Sequence, residues 1–127
     1  MQLSSQGVLA LLAVAGLGGL GSVLRLFLSR WDGFLPYGIM LANVLASFIA
    51  GFALIFSSAA GQKSLITVFL TMGLAGGLST FSTFAAQTGG FFQGQERLKG
   101  LLNLLGNLLF PPLAVALGVI FASSLLK

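Results

Sequence analysis

The densest group of chemically active side chains in the sequence is the run Gly76-Gly77-Leu78-Ser79-Thr80-Phe81-Ser82-Thr83-Phe84. Two adjacent glycines and four hydroxyl residues weaken a helix, because glycine loses backbone entropy and short hydroxyl side chains compete for backbone hydrogen bonds. The run lies in an uncharged stretch between Lys63 and Glu96 and predicts a membrane helix that is broken in its middle. Such backbone must be surrounded by protein or a water-filled cavity, and its freed carbonyl oxygens suit a hard cation such as Na⁺.

Phe81 and Phe84 are three residues apart, so they share one helix face. The chain has 12 phenylalanines, and packing in the core or against lipid is therefore one interpretation of this pair. The other interpretation uses the ring quadrupole, whose positive edge can face a small anion. The residues alone leave both interpretations open.

Two further polar side chains, Asn43 and Arg25, fall within or at the end of apolar stretches. A buried amide in lipid must find hydrogen-bond partners or it costs a few kcal/mol. Asn43 is therefore predicted either to join neighbouring helices or to offer its NH₂ group to a passing anion. Arg25 is predicted either to reach the membrane interface as an anchor or to form a cationic vestibule that concentrates anions.

The amino-acid composition excludes most other chemistry. The chain of 127 residues is 57% hydrophobic and 6% charged, whereas soluble proteins average about 25% charged residues, so a water-soluble domain is excluded. It has no histidine and no cysteine, and Asp32 and Glu96 are its only acids. Metal clusters, catalytic triads, thiol chemistry, paired carboxylates and disulfides lack their residues, and we do not expect an enzyme.

The elements that must position these residues are four long uncharged stretches, 1–24, 33–62, 64–95 and 100–126. Each exceeds the roughly 20 residues that a membrane helix needs. They predict an all-α integral membrane protein with a single four-helix domain over 1–127, because each span must satisfy its own backbone hydrogen bonds in lipid. The expected spans are Val8–Leu28, Tyr37–Ser57, Leu65–Phe92 and Leu101–Ser124. The expected loops are Trp31–Pro36, Ser57–Ser64 and Gln93–Gly100.

Small residues recur at four-residue spacing inside the predicted spans. Gly73 and Gly77 form such a pair in the third span, and Asn43, Ser47 and Gly51 share one face of the second. Small residues let membrane helices approach closely. We therefore expect close helix packing along these faces.

Basic residues are almost balanced across the predicted membrane. Four spans place both termini and the second loop on one side, with Lys63 and Lys127. The first and third loops on the other side hold Arg30, Arg97 and Lys99, and also Arg25 if it reaches that interface. The positive-inside rule orients such a chain only weakly. Insertion in both orientations permits an antiparallel homodimer, and a single orientation with few charges is the alternative.

The run Gly76 to Phe84 resembles the Gly-Gly-x-Thr-Thr-Phe-Ser-Thr-Phe signature of the Fluc (CrcB-like) fluoride channels. The resemblance covers essentially the whole chain. Residues 18–25 resemble the family's glycine-rich first helix, which ends in arginine, and residues 37–51 resemble its second helix. The nine-residue signature is specific, whereas glycine-rich helices alone are not.

The resemblance implies a dual-topology homodimer of four-helix subunits with two antiparallel pores. Such a protein lies in the cell inner membrane and exports F⁻ passively, which relieves fluoride toxicity. The implied partners are fluoride, the lipid bilayer and a second copy of the chain, with no nucleic acid. The implied cofactor is a structural Na⁺ at the dimer interface.

The resemblance also assigns site residues. Phe81 and Phe84 would be the pore phenylalanines whose ring edges meet F⁻, with Asn43 near them. Carbonyl oxygens of Gly76 and Ser79 from both subunits would hold the Na⁺ on the dimer axis. Ser79 stands where the family usually has threonine, which matters little for a main-chain ligand. Three hydroxyl residues are implied as pore or packing groups, namely Thr80, Ser82 and Thr83.

The fourth helix departs from the family pattern. Family members carry Tyr, Ser or Thr at four-residue spacing as a hydroxyl track beside the phenylalanines, whereas the corresponding face here has Asn103, Asn107 and Pro111. Amides also donate hydrogen bonds, so the two asparagines are expected either in the ion pathway or as contacts between helices. Pro111-Pro112 predicts a kink, because each proline removes a backbone donor.

Two other functions fit a small bundle of membrane helices less well. A proton-coupled multidrug transporter also uses four helices and antiparallel dimers, but it needs a carboxylate inside the membrane. Asp32 and Glu96 are both predicted in loops. A non-transporting accessory subunit, held together by its small-residue faces, leaves the hydroxyl-rich run unexplained.

Overall fold

The computed structural model of the chain describes residues 5–59 and 65–127, which are helical apart from short connections. Four stretches are long and apolar enough to cross a membrane, namely Gly7–Leu28, Tyr37–Phe56, Leu65–Gln93 and Arg97–Leu125. The predicted all-α architecture with four spans is confirmed. Most of the second predicted loop, with Lys63, lies outside the described residues.

The third span consists of two helices. Within the described residues the helices are α1 (Ser5–Leu28), α2 (Tyr37–Ala59), α3 (65–78), α4 (Phe81–Gln93) and α5 (Arg97–Leu125). α3 is made of three consecutive pieces, Leu65–Val68, the π-helical Phe69–Ala75 and Gly76–Leu78. α3 and α4 share the third span, with the predicted break between them.

The break falls at Ser79 and Thr80. Both residues have extended backbone, with ψ of 153° at Ser79 and 126° at Thr80. Thr80 then caps α4, because its Oγ1 accepts a hydrogen bond from the Thr83 N–H at 3.3 Å. The hydroxyl residues therefore end one helix and begin the next, which confirms the predicted interruption.

The π-helical segment Phe69–Ala75 is a feature that the sequence did not predict. The Gly76 N–H that follows it donates to the carbonyl oxygens of Gly73 and Thr71, and the Thr71 hydroxyl donates to the Thr67 carbonyl at 2.7 Å. π-Helical turns are rare in proteins, and those that occur are often found at functional sites. Here the wider turns come directly before Gly76 and Gly77, in the last helical turn before the break.

Glycines allow the helix backbones to touch. α2 packs mainly on α5, α1 packs mainly on α3, and α4 packs mainly on α5. A Cβ atom at Gly77 would lie 2.1 Å from the Gly18 carbonyl oxygen, and one at Gly118 would lie 2.3 Å from the Phe48 carbonyl oxygen. Backbone atoms of packed helices cannot move aside, so only glycine fits. The predicted close packing of the Gly73 and Gly77 face is confirmed, against α1.

α5 begins four residues earlier than predicted. It starts at Arg97, because Arg and Lys are good helix formers and Lys99 pairs with Glu96 at 2.6 Å across the first turn. The helix continues through Pro111-Pro112 without interruption. The prolines therefore remove backbone donors from this span but do not divide it.

Large apolar side chains mostly point outward. A buried cluster consists of three small residues and one leucine, namely Ala42, Ala46, Ala75 and Leu78. Several large apolar residues of α1 and α5 are more than half exposed, for example Leu9, Leu12, Leu26, Leu117 and Ile120. A surface of this kind requires lipid or another protein around it.

Candidate functional site

An open groove with a volume of about 240 Å³ lies where the third span is broken. Residues of α2, the break, α4 and α5 form its walls. The lining combines aromatic rings with amide and hydroxyl groups, namely Asn43, Ser47, Ser79, Thr80, Phe81, Phe84, Asn107, Leu108 and Pro111. This groove is where the sequence-predicted site residues meet.

Phe81 and Phe84 form a nearly perpendicular aromatic pair in the groove. Their ring centroids are 5.5 Å apart and their planes make an angle of 72°. Phe84 is 4% exposed and Phe81 is 77% exposed. Both rings line the groove, and the edge of an aromatic ring carries partial positive charge.

The Asn43 side chain holds the backbone at the break. Its Oδ1 accepts a hydrogen bond from the Thr80 N–H at 2.8 Å, and its Nδ2 donates to the Thr80 carbonyl at 3.2 Å. In an unbroken helix the Thr80 N–H would bond the Gly76 carbonyl, four residues earlier. Because an N–H only donates and a carbonyl only accepts, Thr80 also fixes which way the Asn43 amide faces.

A chain of amide groups continues from Asn43 through α5 to α4. Asn43 Nδ2 also donates to Asn107 Oδ1 at 3.0 Å. Asn107 Nδ2 donates to the Asn103 carbonyl at 3.1 Å and to Asn103 Oδ1 at 3.3 Å, and Asn103 Nδ2 donates to Thr88 Oγ1 at 2.8 Å. Asn103 is 1% exposed. Apart from the bond of Asn43 to Thr80 O, these amides donate in one order from Asn43 to Thr88, and this row of side chains joins α2, α5 and α4.

Two carbonyl groups of α5 lose their helical donors beside the groove. In an α-helix the backbone N–H of each residue donates to the carbonyl four residues earlier. Pro111 and Pro112 have no N–H, so the carbonyls of Asn107 and Leu108 receive no such hydrogen bond. Three of these four residues, Asn107, Leu108 and Pro111, line the groove. Carbonyl oxygens without a donor repel an anion, so the backbone of α5 supplies no hydrogen bond for an anion at this wall.

The other side of the break is held by α1. Arg25 Nη1 donates to the Ser79 carbonyl at 2.9 Å, and Ser22 Oγ donates to the Gly77 carbonyl at 3.3 Å. The C-terminal end of a helix carries a partial negative charge, which a guanidinium stabilises. Arg25 therefore contacts the break itself, a contact that neither prediction for Arg25 included.

A family model described as "CrcB-like protein, Camphor Resistance (CrcB)" matches residues 12–119. The chain belongs to this CrcB-like family. The family resemblance inferred from the Gly76 to Phe84 run is thereby confirmed. With its four apolar spans, this CrcB-like chain is a multi-pass membrane protein.

The CrcB-like chain is similar over most of its length to proteins named fluoride-specific ion channel FluC. One from Clostridium perfringens (strain 13 / Type A) is 38% identical over 117 residues, which cover 87% of this chain and 91% of the relative. Another, from Pectobacterium atrosepticum, is 43% identical over 116 residues, with coverage of 84% and 91%. A third, from Pyrococcus furiosus, is 40% identical over 111 residues, with coverage of 83% and 89%.

Most of the site residues predicted for this CrcB-like chain lie in or beside the groove. Six of them line it, namely Asn43, Ser79, Thr80, Phe81, Phe84 and Asn107. Ser82 and Thr83 lie beside the lining, where their hydroxyls contact Thr80 Oγ1 at 3.3 and 3.1 Å. Asn103 does not line the groove but is hydrogen-bonded to Asn107, which does. Gly76 and Arg25 do not line the groove.

Ser47 and Thr88 belong to this arrangement, although the sequence did not single them out as site residues. Ser47 lines the groove, and Thr88 accepts the last bond of the amide chain. Each lies four residues beyond a predicted site residue, Ser47 after Asn43 and Thr88 after Phe84. Residues four apart share a helix face, and that spacing is the signal that identifies both.

Replacing Asn43 with aspartate should destabilise the protein. A carboxylate can accept the Thr80 N–H bond but cannot donate to Thr80 O or Asn107 Oδ1, so it leaves oxygen atoms facing one another inside the membrane. We expect a loss of about 3 kcal/mol, the scale for leaving buried polar groups unpaired next to a charge. Thermal unfolding of the purified protein in detergent measures it.

The matched control is Gln93→Glu, the same amide-to-carboxylate change at the exposed end of α4. It should leave the unfolding midpoint within experimental scatter of the parent protein. An Asn43→Asp midpoint equal to that of the parent would contradict the role of Asn43 in holding the break.

Proposed function

We propose that this protein is a fluoride-selective channel that lets F⁻ leave the cell passively across its inner membrane and so relieves fluoride toxicity. The observation that carries the proposal is the groove at the helix break, where the Phe81 and Phe84 rings lie beside hydroxyl and amide groups. The relatives named as fluoride-specific channels support the choice of ion. They are named as channels, which also supports a transport role over an enzymatic one.

Solvation physics explains why such a groove favours fluoride. F⁻ is small and strongly hydrated, so a pathway must replace its water with hydrogen-bond donors and positive ring edges. Chloride is larger and accepts weaker hydrogen bonds. No acid or lysine lines this groove in the described part of the chain, so an anion is neither repelled by a carboxylate nor held too tightly to leave.

The polar residues around the groove take two roles in this proposal. Asn43, Thr80 and Asn107 line the ion pathway, and their hydrogen bonds keep its walls in place. Three further residues support those walls from beside or behind the groove, namely Ser82, Thr83 and Asn103. Arg25 adds positive charge next to the break, where it also contacts the Ser79 carbonyl.

The proposed working unit is an antiparallel homodimer with two pores, built from single four-helix domains over 1–127. The nearly equal numbers of basic residues on the two sides of the membrane support dual orientation, because the positive-inside rule then gives little preference. The exposed apolar faces of α1 and α5 support an environment of lipid and a second subunit. Each subunit would contribute one groove.

A structural Na⁺ fits the end of α3. The Gly76 carbonyl is freed because the Thr80 N–H bonds Asn43, and the Ser79 carbonyl has one lone pair left beside its bond from Arg25. Carbonyl oxygens are hard ligands, and the negative end of a helix favours a cation. In the proposed dimer these carbonyls of both subunits would hold the ion, which would supply positive charge that binds the two broken helices together.

The two competing functions have less support. A proton-coupled multidrug transporter needs a carboxylate within the membrane, but Asp32 lies between α1 and α2, and Glu96 lies directly before α5. An accessory subunit without transport activity would have no use for a groove of aromatic and polar groups. The groove is therefore better explained by a channel than by either alternative.

Purified protein in liposomes should release F⁻ down its gradient without nucleotide or proton coupling. Chloride should leave at least ~100-fold more slowly, which corresponds to about 2.8 kcal/mol of discrimination. Ion-selective electrodes measure both ions outside matched liposomes, and protein-free liposomes give the background. Equal rates for the two anions would contradict the channel assignment.

Phe81→Ile should slow fluoride efflux by up to about tenfold, because isoleucine keeps an apolar side chain but removes the ring edge. Phe81 is the better test position, since it is exposed and its replacement leaves no cavity, unlike Phe84. The matched control is Phe110→Ile, at a half-exposed phenylalanine of α5. Parent-like efflux through a dimeric, stable Phe81→Ile protein would count against the aromatic role.

Two or three lysines added around Gln62 should drive most chains into one orientation, because the parent difference in basic residues is only one or two. Fluoride efflux should then fall, because chains inserted in the opposite orientation are no longer made and antiparallel dimers cannot form. Coexpression with a chain that has lysines added near Gly33 and Gln95 should restore it.

The orientation of each chain can be measured by labelling single introduced cysteines, because the sequence has no native cysteine. If a chain without the added lysines were labelled at its introduced cysteine from only one side of the membrane, dual topology would be refuted.

A further inference from the structure

The groove contains five side chains that can donate hydrogen bonds, and three of them are already committed. Asn43 gives its amide hydrogens to Thr80 O and Asn107 Oδ1. Asn107 donates to two oxygens of Asn103. The Thr80 hydroxyl donates to Thr83 Oγ1. An anion in the groove would have to break one of these bonds to use any of these donors.

The two remaining donors are the hydroxyls of Ser47 and Ser79. Neither hydroxyl has a hydrogen-bond partner within residues 5–59 and 65–127. Ser47 is half-buried on α2, one turn beyond Asn43 and on the same helix face, whereas Ser79 is exposed. A donor that is partly withdrawn from solvent gains more from a partner, so Ser47 is the stronger of the two.

Other serines show what a hydroxyl in these helices normally does. Ser29 donates to the Leu26 carbonyl at 2.8 Å, and Ser123 donates to the Val119 carbonyl at 2.8 Å. Such bonds to the preceding turn are the usual way to satisfy a hydroxyl in an apolar helix. Ser47 makes no bond of this kind and faces the groove instead.

We infer that the Ser47 hydroxyl is the side-chain donor that binds the anion in this groove, and that Asn43 acts as a positioning residue. This inference rests on the proposed fluoride channel. The anion would accept the Ser47 O–H bond from α2 and meet the ring edges of Phe81 and Phe84 from α4. Asn43 contributes by keeping Thr80, and with it the start of α4, at the right distance from α2.

The test compares Ser47→Ala, which removes the hydroxyl, with Ser47→Thr, which keeps it. The matched control is Ser123→Ala, because the Ser123 hydroxyl is satisfied by its own helix. Each protein is reconstituted in liposomes, fluoride and chloride efflux are measured, and thermal stability and dimer content are recorded in detergent. Ser47→Cys is added as a variant of similar size with a weaker donor.

We expect Ser47→Ala to lose at least about tenfold in fluoride efflux, the scale for one hydrogen bond to a charged group. Ser47→Thr should stay close to the parent, and Ser47→Cys should be intermediate. Stability and dimer content should not change in any of them. Ser123→Ala should match the parent in every measurement.

The outcomes separate this inference from the channel proposal. Parent-like fluoride efflux through Ser47→Ala would overturn the role of Ser47 and leave the channel intact. A loss of stability in Ser47→Ala, together with no rescue by Ser47→Thr, would make Ser47 a packing residue and also overturn it. A parent protein that passes F⁻ and Cl⁻ equally would overturn the channel and the Ser47 inference together.

Discussion

One asparagine side chain replaces a backbone hydrogen bond where the third span is broken and adds a second bond to the same residue, and much of the structure depends on it. Lipid offers no partner to a freed N–H or carbonyl, so a broken membrane helix needs a substitute. Asn43 provides it for Thr80, with bonds of 2.8 and 3.2 Å. This contact permits Ser79 and Thr80 to be extended, lets α4 begin at Phe81, and thereby places the aromatic pair in the groove.

Backbone contact at glycine keeps the break at a fixed depth. Gly77 meets Gly18 so closely that a Cβ would lie 2.1 Å from a carbonyl oxygen. Arg25 and Ser22 then bond the carbonyls at the end of α3 from the same helix. α1 thus holds the first half of the third span, and α2 and α5 hold the second half through the amide chain.

The sequence predicted the four spans and the interrupted third span, because gaps between charges and a glycine and hydroxyl run are local signals. It also identified six of the nine residues that line the groove, four of them in the Gly76 to Phe84 run. It did not predict the contacts that assemble them. Asn43 is 37 residues from Thr80 and 64 from Asn107, and no local pattern pairs residues so far apart. The π-helical turns of α3 and the Arg25 contact likewise depend on packing between helices.

The side-chain bonds that lead from Asn43 through Asn107 and Asn103 to Thr88 all donate in the same order, which makes this row of hydrogen bonds polar. The two ends of this hydrogen-bonded row are therefore electrostatically unlike within one subunit. In the proposed antiparallel pair the second subunit repeats the row in the opposite sense, so the pair as a whole has no net polarity across the membrane. A passive pore has no built-in direction of its own, so the electrochemical gradient of fluoride, its concentration difference together with the membrane voltage, determines which way the ion moves.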